Sequence, residues 1–315
     1  LLLFGMDPLV SVAEPQRVLE AFQKVDFSVV CDLYMTASAR VADIVLPVSS
    51  FLECTRLRLT RYRPRADCQH VSLQNKAIEP LGESKSDEEL IIALAKKLGL
   101  EALFPWNTVE DQISDALRPL GCTIDDLRNN PGGKMWTYSP QELYQSYEKS
   151  GFNTPTKKVE LYSTSLEKFG YDPIPSYVEP MESPVSTPDI AKEYPLVCNP
   201  AIKPVLYTHT QMRTVQLLKD IMPDPWVEIN PLKARELGIS DGDMVLIESP
   251  RGKIELRAKI TEEAAIPDVV YMPYGWGEPY TGNYPVVDTL APDTPRCPVS
   301  SSTSNHAFLC KVKKI

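Results

Sequence analysis

The chain has 315 residues and a formal net charge of −9, and 43% of its residues are hydrophobic while 24% are charged. The negative balance argues against binding to a nucleic acid backbone or to an anionic membrane surface. No apolar run approaches the length of a membrane span, so we expect no direct membrane insertion. The length accommodates two domains, each with a sizeable core.

The first 53 residues alternate apolar strands with helices. We predict a helix at Pro15–Lys24 and strands at Leu1–Phe4, Phe27–Cys31 and Ile44–Leu46. This alternation is typical of a parallel sheet covered on both faces. Because Leu1 already stands inside an apolar strand, we expect the chain to be part of a longer protein, and its compartment is left open.

The middle of the chain is less regular. Residues 55–85 read as irregular and begin with a run of arginines, and helices are predicted at Glu88–Leu98, Val109–Leu117 and Pro140–Ser150. Ser86 and Asp87 can cap the first of these helices. The Pro-rich stretch favours a domain of residues 1–175, a linker of residues 176–193 and a second domain of residues 194–315.

From residue 194 onward the apolar pattern has a period of two, which is typical of strands. Asn230-Pro231 predicts the start of a short helix that Gly238 ends. Short strands with turn signals between them indicate a closed β-barrel. We predict its strands to begin at Leu196 and then to cover Trp226–Ile229, Met244–Glu248, Lys253–Ile260, Val269–Met272 and Phe308–Val312.

Three loops carry candidate ligand-binding side chains. Two of them, Gly5–Ser11 and Asp32–Thr36, follow predicted parallel strands, where α/β proteins hold ligands. An alternative stays open, in which Asp7, Ser11 or Asp32 only caps the following helix. The third loop offers cationic and hydroxyl side chains that suit a pyrophosphate: Lys203, Tyr207, His209, Thr210, Gln211 and Arg213.

The seven cysteines are scattered, and none forms a C-x-x-C pair. Iron–sulfur and structural zinc sites use closely spaced thiolates. We therefore expect buried single thiols and no metal ligand in this chain.

Two separated blocks resemble the molybdopterin oxidoreductases, the dimethyl-sulfoxide-reductase family. The first is DFSVVCDLYMTASARVADIVLPVSSFLE at residues 26–53, and the second runs from EINP at residues 228–231 to the hairpin turn SPRG at residues 249–252. A connector at residues 154–163 is similar to the T-P-x-G-K stretch of the family, with Lys157 where Gly is usual. The resemblance covers the chain as roughly the C-terminal half of a family member.

The resemblance implies a Rossmann-like parallel α/β domain, present in part, followed by a six-stranded, double-psi-like β-barrel. It also implies bis-molybdopterin guanine dinucleotide with molybdenum or tungsten as the cofactor, and a 4Fe-4S cluster in a part of the protein upstream of this chain. The metal ligand and the catalytic residues are expected upstream as well. This chain would then bind and orient the dinucleotide.

The same resemblance assigns cofactor-binding roles to individual positions. The sequence departs from the family pattern after Glu53, where Cys54 is followed by arginines, and at Lys203, Asp288 and His306. The predicted cofactor-binding residues are Gly5, Asp7, Ser11, Cys31, Asp32, Thr36, Cys54, Asp87, Lys203, Tyr207, His209, Thr210, Gln211, Arg213, Asp288 and His306.

The leading hypothesis is an oxidoreductase that transfers an oxygen atom or two electrons. A non-redox family member of the hydratase or transhydroxylase type is the alternative among enzymes, and a catalytically inactive nucleotide-binding or assembly module is the alternative of another class. Expected partners are the upstream half of the same protein, a small-molecule substrate and an iron–sulfur electron-transfer subunit. The chain alone is expected to be inactive.

Overall fold

The computed structural model describes residues 1–61, 68–137, 146–174, 176–277, 286–303 and 305–315. The chain forms two compact units. The first unit combines Leu1–Val45 with Val178–Ile315, and the second is Leu46–Tyr177. The first unit is therefore discontinuous in sequence, while the predicted limits of the two domains stay a prediction.

Twelve strands occur in the described residues. They are β1 (Leu2–Phe4), β2 (Val29–Asp32), β3 (Ile44–Pro47), β4 (Arg56–Arg61), β5 (Cys68–Gln74), β6 (Lys134–Thr137), β7 (Leu196–Ile202), β8 (Trp226–Ile229), β9 (Met244–Glu248), β10 (Lys253–Ile260), β11 (Val269–Pro273) and β12 (Phe308–Lys314).

The same part of the chain contains eleven α-helices and two short 3₁₀ turns. The helices are α1 (Pro8–Ser11), α2 (Pro15–Gln23), α3 (Ala37–Val41), α4 (Asp87–Lys97), α5 (Val109–Leu117), α6 (Ile124–Arg128), α7 (Ser146–Ser150), α8 (Thr164–Lys168), α9 (Pro188–Glu193), α10 (Gln216–Ile221) and α11 (Pro231–Leu237). The 3₁₀ turns are Arg118–Leu120 and Val287–Thr289.

The predicted parallel sheet is present. β1 and β2 run parallel, with Leu2 paired to Val29, and the sheet has the order β1-β2-β3. Phe22 of α2 and Val30 of β2 share one apolar cluster, and Leu9 of α1 lies in a second one. The carboxyl ends of β1 and β2 therefore open into neighbouring loops, while the Rossmann-like label stays a prediction.

The six-stranded closed barrel is confirmed, with the strand order β10-β8-β11-β7-β12-β9. In β10 the side chains of Ile254, Leu256 and Ala258 are buried between exposed neighbours, as the period of two predicts. Val227 and Phe308, from two other strands, are fully buried in the same core. The barrel thus provides a rigid frame for the loops at its ends.

Helix α11 follows the sequence prediction closely. Pro231 occupies the first turn, and Gly238 ends the helix at a φ of +68°. The side chain of Asn230 accepts a hydrogen bond from Leu232 N and donates one to the carbonyl oxygen of Ala264, both at 2.8 Å. Asn230 thereby caps the helix and ties it to the loop after β10.

The prediction of irregular structure over residues 55–85 was wrong. β4 and β5 form an antiparallel hairpin, and β6 pairs with β5. Val71 and Leu73 pack there with Ile113 and Leu117 of α5. Leu57, Val71 and Leu73 follow a period of two, but the arginines on either side of Leu57 obscured it.

The helix predicted at Pro140–Ser150 lies partly outside the described residues, which resume with α7 at Ser146. Helix α4 begins as predicted, because Ser86 accepts a hydrogen bond from Glu89 N and the carboxylate of Glu89 accepts one from Ser86 N. This reciprocal pair is a capping box.

Candidate functional site

A cleft of about 530 Å³ lies within the first unit. Its walls come from the loops after β1 and β2, the loop between β7 and β8, and the loop after β11. Five of the predicted cofactor-binding residues line it: Asp7, Thr36, Tyr207, Thr210 and Arg213. The fold therefore brings side chains nearly two hundred positions apart in sequence to one cavity.

Asp7 closes the loop after β1 by binding a different helix from the one it precedes. Its carboxylate accepts hydrogen bonds from Ala37 N at 3.2 Å, Ser38 N at 3.0 Å and Ser38 Oγ at 2.6 Å. It makes no side-chain bond to the start of α1, although it stands in the capping position there. The alternative in which Asp7 caps its own helix was therefore wrong.

Thr36 and Asp32 form the loop after β2. Thr36 caps α3 by accepting a hydrogen bond from Ala39 N at 3.2 Å. Asp32 accepts one from Tyr34 N at 3.2 Å, an Asx-type turn that shapes the loop and does not cap the helix. Thr36 thus faces the cleft from a fixed turn, between the two strand ends.

Arg213 is the most constrained polar side chain of the cleft. Its Nε donates to the carbonyl oxygen of His209 at 2.9 Å, and its Nη2 donates to that of Tyr274 at 3.1 Å. Its guanidinium lies 3.1 Å from the ring centroid of Trp276 and 4.4 Å from that of Tyr207. Burial lowers the pKa of Arg213 to about 9, which leaves the group charged at neutral pH.

One buried donor of Arg213 has no acceptor. Nη1 is shielded from solvent and has no hydrogen-bond partner among the described residues. A buried charged donor without an acceptor is costly. The arrangement is therefore suited to an oxygen atom of a bound group.

His209 lies next to this guanidinium. Burial lowers the pKa of His209 and the charge of Arg213 lowers it further, whereas Asp7 acts in the opposite direction. The imidazole ring packs against Tyr274 with the ring centroids 5.0 Å apart. A lowered pKa favours the neutral ring at physiological pH, which can accept as well as donate a hydrogen bond.

The Gly275-Trp276-Gly277 turn after β11 also lines the cleft, and the sequence analysis missed it. Gly275 has a φ of +82°, and a Cβ built there would lie 2.6 Å from the carbonyl carbon of His209. Only glycine permits this approach of the two loops. A Gly-Trp-Gly run two residues after a predicted strand was the signal that could have found the turn.

Other predicted site residues lie in the first unit but do not line the cleft. Gly5 N donates to the carbonyl oxygen of Cys31, and Ser11 Oγ donates to that of Asp7. Asp288 is buried in a 3₁₀ turn, where burial raises the pKa of its carboxyl to about 6. The remaining three, all exposed, are Lys203, Gln211 and His306.

Cys54 and Asp87 belong to the second unit. The thiol of Cys54 donates to the carbonyl oxygen of Ser50 at 3.2 Å, and burial raises its pKa. Cys54 lines a separate cavity of about 520 Å³, next to Ser86 at the start of α4. Asp87 is the first residue of that helix.

The described residues contain no candidate membrane-spanning helix and no cluster of metal ligands. No helix there is long and apolar enough to cross a bilayer. The same residues include no group of three or more His, Cys, Asp or Glu side chains placed to hold a metal ion.

Two family models match the chain. Residues 1–97 match the Molybdopterin oxidoreductase model, and residues 201–308 match the model described as Molydopterin dinucleotide binding domain. The matched stretches together cover more than half of the chain and contain the loops that form the cleft. The chain belongs to the molybdopterin oxidoreductase family and includes its dinucleotide-binding domain.

Individual relatives agree with this assignment. Acetylene hydratase of Syntrophotalea acetylenica is 32% identical over 287 residues, which cover 87% of this chain and 37% of that protein. The F420-dependent formate dehydrogenase subunit alpha of Methanocaldococcus jannaschii is 31% identical over 284 residues, covering 88% of this chain and 38% of that protein. The solved structure of acetylene hydratase from Pelobacter acetylenicus matches with a TM-score of 0.85 and 27% identity, over 100% of this chain and 44% of that one.

The chain thus spans about two fifths of the length of these relatives. The family includes redox enzymes and a hydratase, so membership alone does not select a reaction.

The cleft fits the molybdopterin dinucleotide that the family implies. Nη1 of Arg213 offers a buried positive donor without an acceptor among the described residues, and Thr36 and Thr210 add hydroxyl groups to the lining. Phosphate and carbonyl oxygens are the natural acceptors for such donors. The carboxylate of Asp7, also in the lining, is already engaged by three hydrogen bonds from protein donors.

Proposed function

We propose that this chain is the C-terminal portion of a molybdenum or tungsten enzyme and that it binds and orients a bis-molybdopterin guanine dinucleotide cofactor. The full protein is proposed to catalyse oxygen-atom transfer or another two-electron redox reaction. When bound, the pterin dithiolenes hold the metal that carries out this chemistry, and the protein supplies binding and orientation. The finer fold labels, Rossmann-like and double-psi, belong to this proposal.

The unpaired Nη1 of Arg213 is the observation that supports the proposal most directly. A positively charged, preorganised donor in a cleft gains a charge-assisted hydrogen bond when a phosphate or pterin oxygen enters. Thr36 and Thr210 would add hydroxyl contacts from two sides of the same cleft. In this proposal Asp32, at the end of β2, accepts hydrogen bonds from the guanosine part.

The proposal is tested by cofactor content in the full-length protein. We expect Arg213→Met to lower the pterin per polypeptide by about tenfold, because a buried charged hydrogen bond is worth roughly 1.5–3 kcal/mol. The released, oxidised pterin is measured by its fluorescence. Arg235→Met, at an exposed arginine of α11, is the matched control.

Equal pterin content in the Arg213→Met variant and the control would remove the cleft from the cofactor site. Asp32→Ala provides a second check at another residue, since we expect it to lower pterin content through loss of guanosine contacts.

A hydratase-type reaction is the second candidate, and the 32% identity to acetylene hydratase favours it. The two candidates differ in electron flow. A redox enzyme changes the oxidation state of an added electron donor or acceptor in step with turnover, whereas a hydratase adds water without consuming either. A full-length protein that binds no pterin would instead support the inactive assembly module.

The expected partners are part of the proposal. They are the upstream half of the same protein with its 4Fe-4S cluster, an iron–sulfur electron-transfer subunit and a small-molecule substrate. We propose that the 315 residues alone hold no metal tightly and turn over no substrate. Stoichiometric molybdenum or tungsten in elemental analysis of this chain alone would contradict that.

A further inference from the structure

We propose that Trp276 is a positioning residue, whose indole ring keeps the guanidinium of Arg213 oriented so that Nη1 is available to a ligand in the cleft. The inference rests on the proposed cofactor site. It adds to that site the residue that holds the guanidinium of Arg213 in place. It concerns the side chains of this chain and holds for any anionic ligand of that site.

The hydrogen bonds of Arg213 divide its donors into two groups. Nε and Nη2 donate to main-chain oxygens of His209 and Tyr274, which belong to two different loops. Nη1 has no partner among the described residues. The guanidinium is thus fixed by the protein on two sides, and Nη1 on its third side is a buried donor without an acceptor among the described residues.

Two aromatic rings limit the rotation of this planar cation. Its central carbon lies 3.1 Å from the ring centroid of Trp276 and 4.4 Å from that of Tyr207. The two rings are 5.3 Å apart and nearly perpendicular, at 88°. A guanidinium that turns away from this position loses a cation–π contact and at least one hydrogen bond.

The rings are themselves anchored to the protein. Trp276 is 4% exposed, its Nε1 donates to the carbonyl oxygen of Pro223 at 3.2 Å, and its ring meets that of Trp226 edge-on at 6.1 Å. The hydroxyl of Tyr207 lies 2.9 Å from the carbonyl oxygens of both Leu218 and Met222. The two rings are therefore held in place by the protein itself, without a ligand. Such preorganisation lowers the conformational entropy lost when a ligand binds.

The close approach of Gly275 to His209 supports the same assignment. A Cβ at Gly275 would meet the main chain of His209 at 2.6 Å. The turn that carries Trp276 therefore packs directly on the loop whose carbonyl binds Arg213 Nε. The ring of Trp276, the carbonyl group of His209 and the guanidinium of Arg213 therefore pack together.

The experiment is a double-mutant cycle in the full-length protein, read as the half-life of pterin retention after dilution. We expect Trp276→Leu to shorten this half-life by about fivefold and Trp276→Phe, which keeps a ring, by less than about twofold. In an Arg213→Met background, Trp276→Leu should change the half-life by less than about 1.5-fold, because there is no cation left to position. Trp106→Leu, at a tryptophan of the second unit, is the matched control.

The outcomes separate the inference from the proposed function. An equal loss from Trp276→Leu in both backgrounds, or no rescue by phenylalanine, would overturn the positioning role and leave a structural one. A normal half-life in Trp276→Leu together with a short one in Arg213→Met would overturn the inference alone. A normal half-life in Arg213→Met would overturn the proposed site itself. If Trp276→Leu does not fold, Trp276→Met, whose unbranched side chain adapts more easily to the site but has no ring, replaces it in the cycle.

Discussion

Asp7 binds Ser38 twice, accepting hydrogen bonds from its main-chain N at 3.0 Å and from its side-chain Oγ at 2.6 Å. The two residues are 31 positions apart and follow different strands of the parallel sheet. A carboxylate at the start of α3 compensates N–H groups that would otherwise be unpaired there. This pair therefore fixes the relative position of two walls of the cleft.

Replacing Asp7 tests this locking. We expect Asp7→Ala to lower the free energy of unfolding by about 1–2 kcal/mol, since a helix start and a buried serine both lose their acceptor. Urea denaturation measures the change, with the exposed Asp26→Ala as control. Equal effects of the two substitutions would show that the pair adds no stability.

We expect the stability of the folded protein to depend on pH because of the buried carboxyl of Asp288. Burial raises the pKa of its carboxyl from 3.8 to about 6, so the folded protein binds the proton more tightly than the unfolded chain. Stability should then fall as the pH rises from about 4 through 6. We expect Asp288→Asn to raise the free energy of unfolding by up to about 3 kcal/mol at pH 7.5 and by much less at pH 4.5.

Urea unfolding at the two pH values measures this difference, and the exposed Asp224→Asn serves as control. A gain of the same size at both pH values would mean that the carboxyl of Asp288 does not titrate differently in the folded protein.

A largely buried ion pair joins Glu182 to the barrel. The guanidinium of Arg251 meets its carboxylate in two contacts of 2.6 and 2.9 Å, and Leu309 N of β12 donates to the same carboxylate at 2.7 Å. We expect Glu182→Ala to lower the free energy of unfolding by about 3 kcal/mol, because it leaves a largely buried arginine without its partner.

The exposed pair of Lys192 and Asp189 is the comparison, with side chains 78% and 90% exposed. Asp189→Ala should lower the free energy of unfolding by less than about 0.5 kcal/mol. Urea denaturation measures the change in both variants. Similar costs at the two sites would show that burial does not strengthen the pair at Glu182.

Lys157 stands where the resembling family has glycine, and its φ of +59° explains why glycine is usual there. A side chain in this left-handed region costs roughly 1 kcal/mol. We expect Lys157→Gly to raise the unfolding free energy by about that amount, and Lys158→Gly, where φ is not positive, to lower it. Thermal unfolding of both variants checks this, and a loss in both would contradict the assignment of strain.

Local sequence rules predicted those features that depend on neighbouring residues. The alternation of Ile254, Leu256 and Ala258 and the cap at Asn230 are set within a few positions, so the barrel strand and the helix were found. The family pattern pointed to the Asp7, Thr36 and Arg213 loops, and the fold brings all three to one cleft.

Contacts between distant segments were not predictable in the same way. That Asp7 caps α3 and not α1 depends on how two strand ends meet, which no local pattern encodes. Trp276 was missed because its partner, Arg213, is 63 positions away in sequence. The β4–β5 hairpin was missed because arginines alternate with too few apolar residues in β4.

The discontinuity of the first unit has a consequence for synthesis on the ribosome. Glu14 accepts a hydrogen bond from the main chain of Asp293, which is 279 positions later. Chains emerge at about 5–20 residues per second, so Glu14 waits many seconds for this partner. During that interval Phe22 is covered by its local apolar cluster alone, while the second unit, which is continuous in sequence, can complete its fold first.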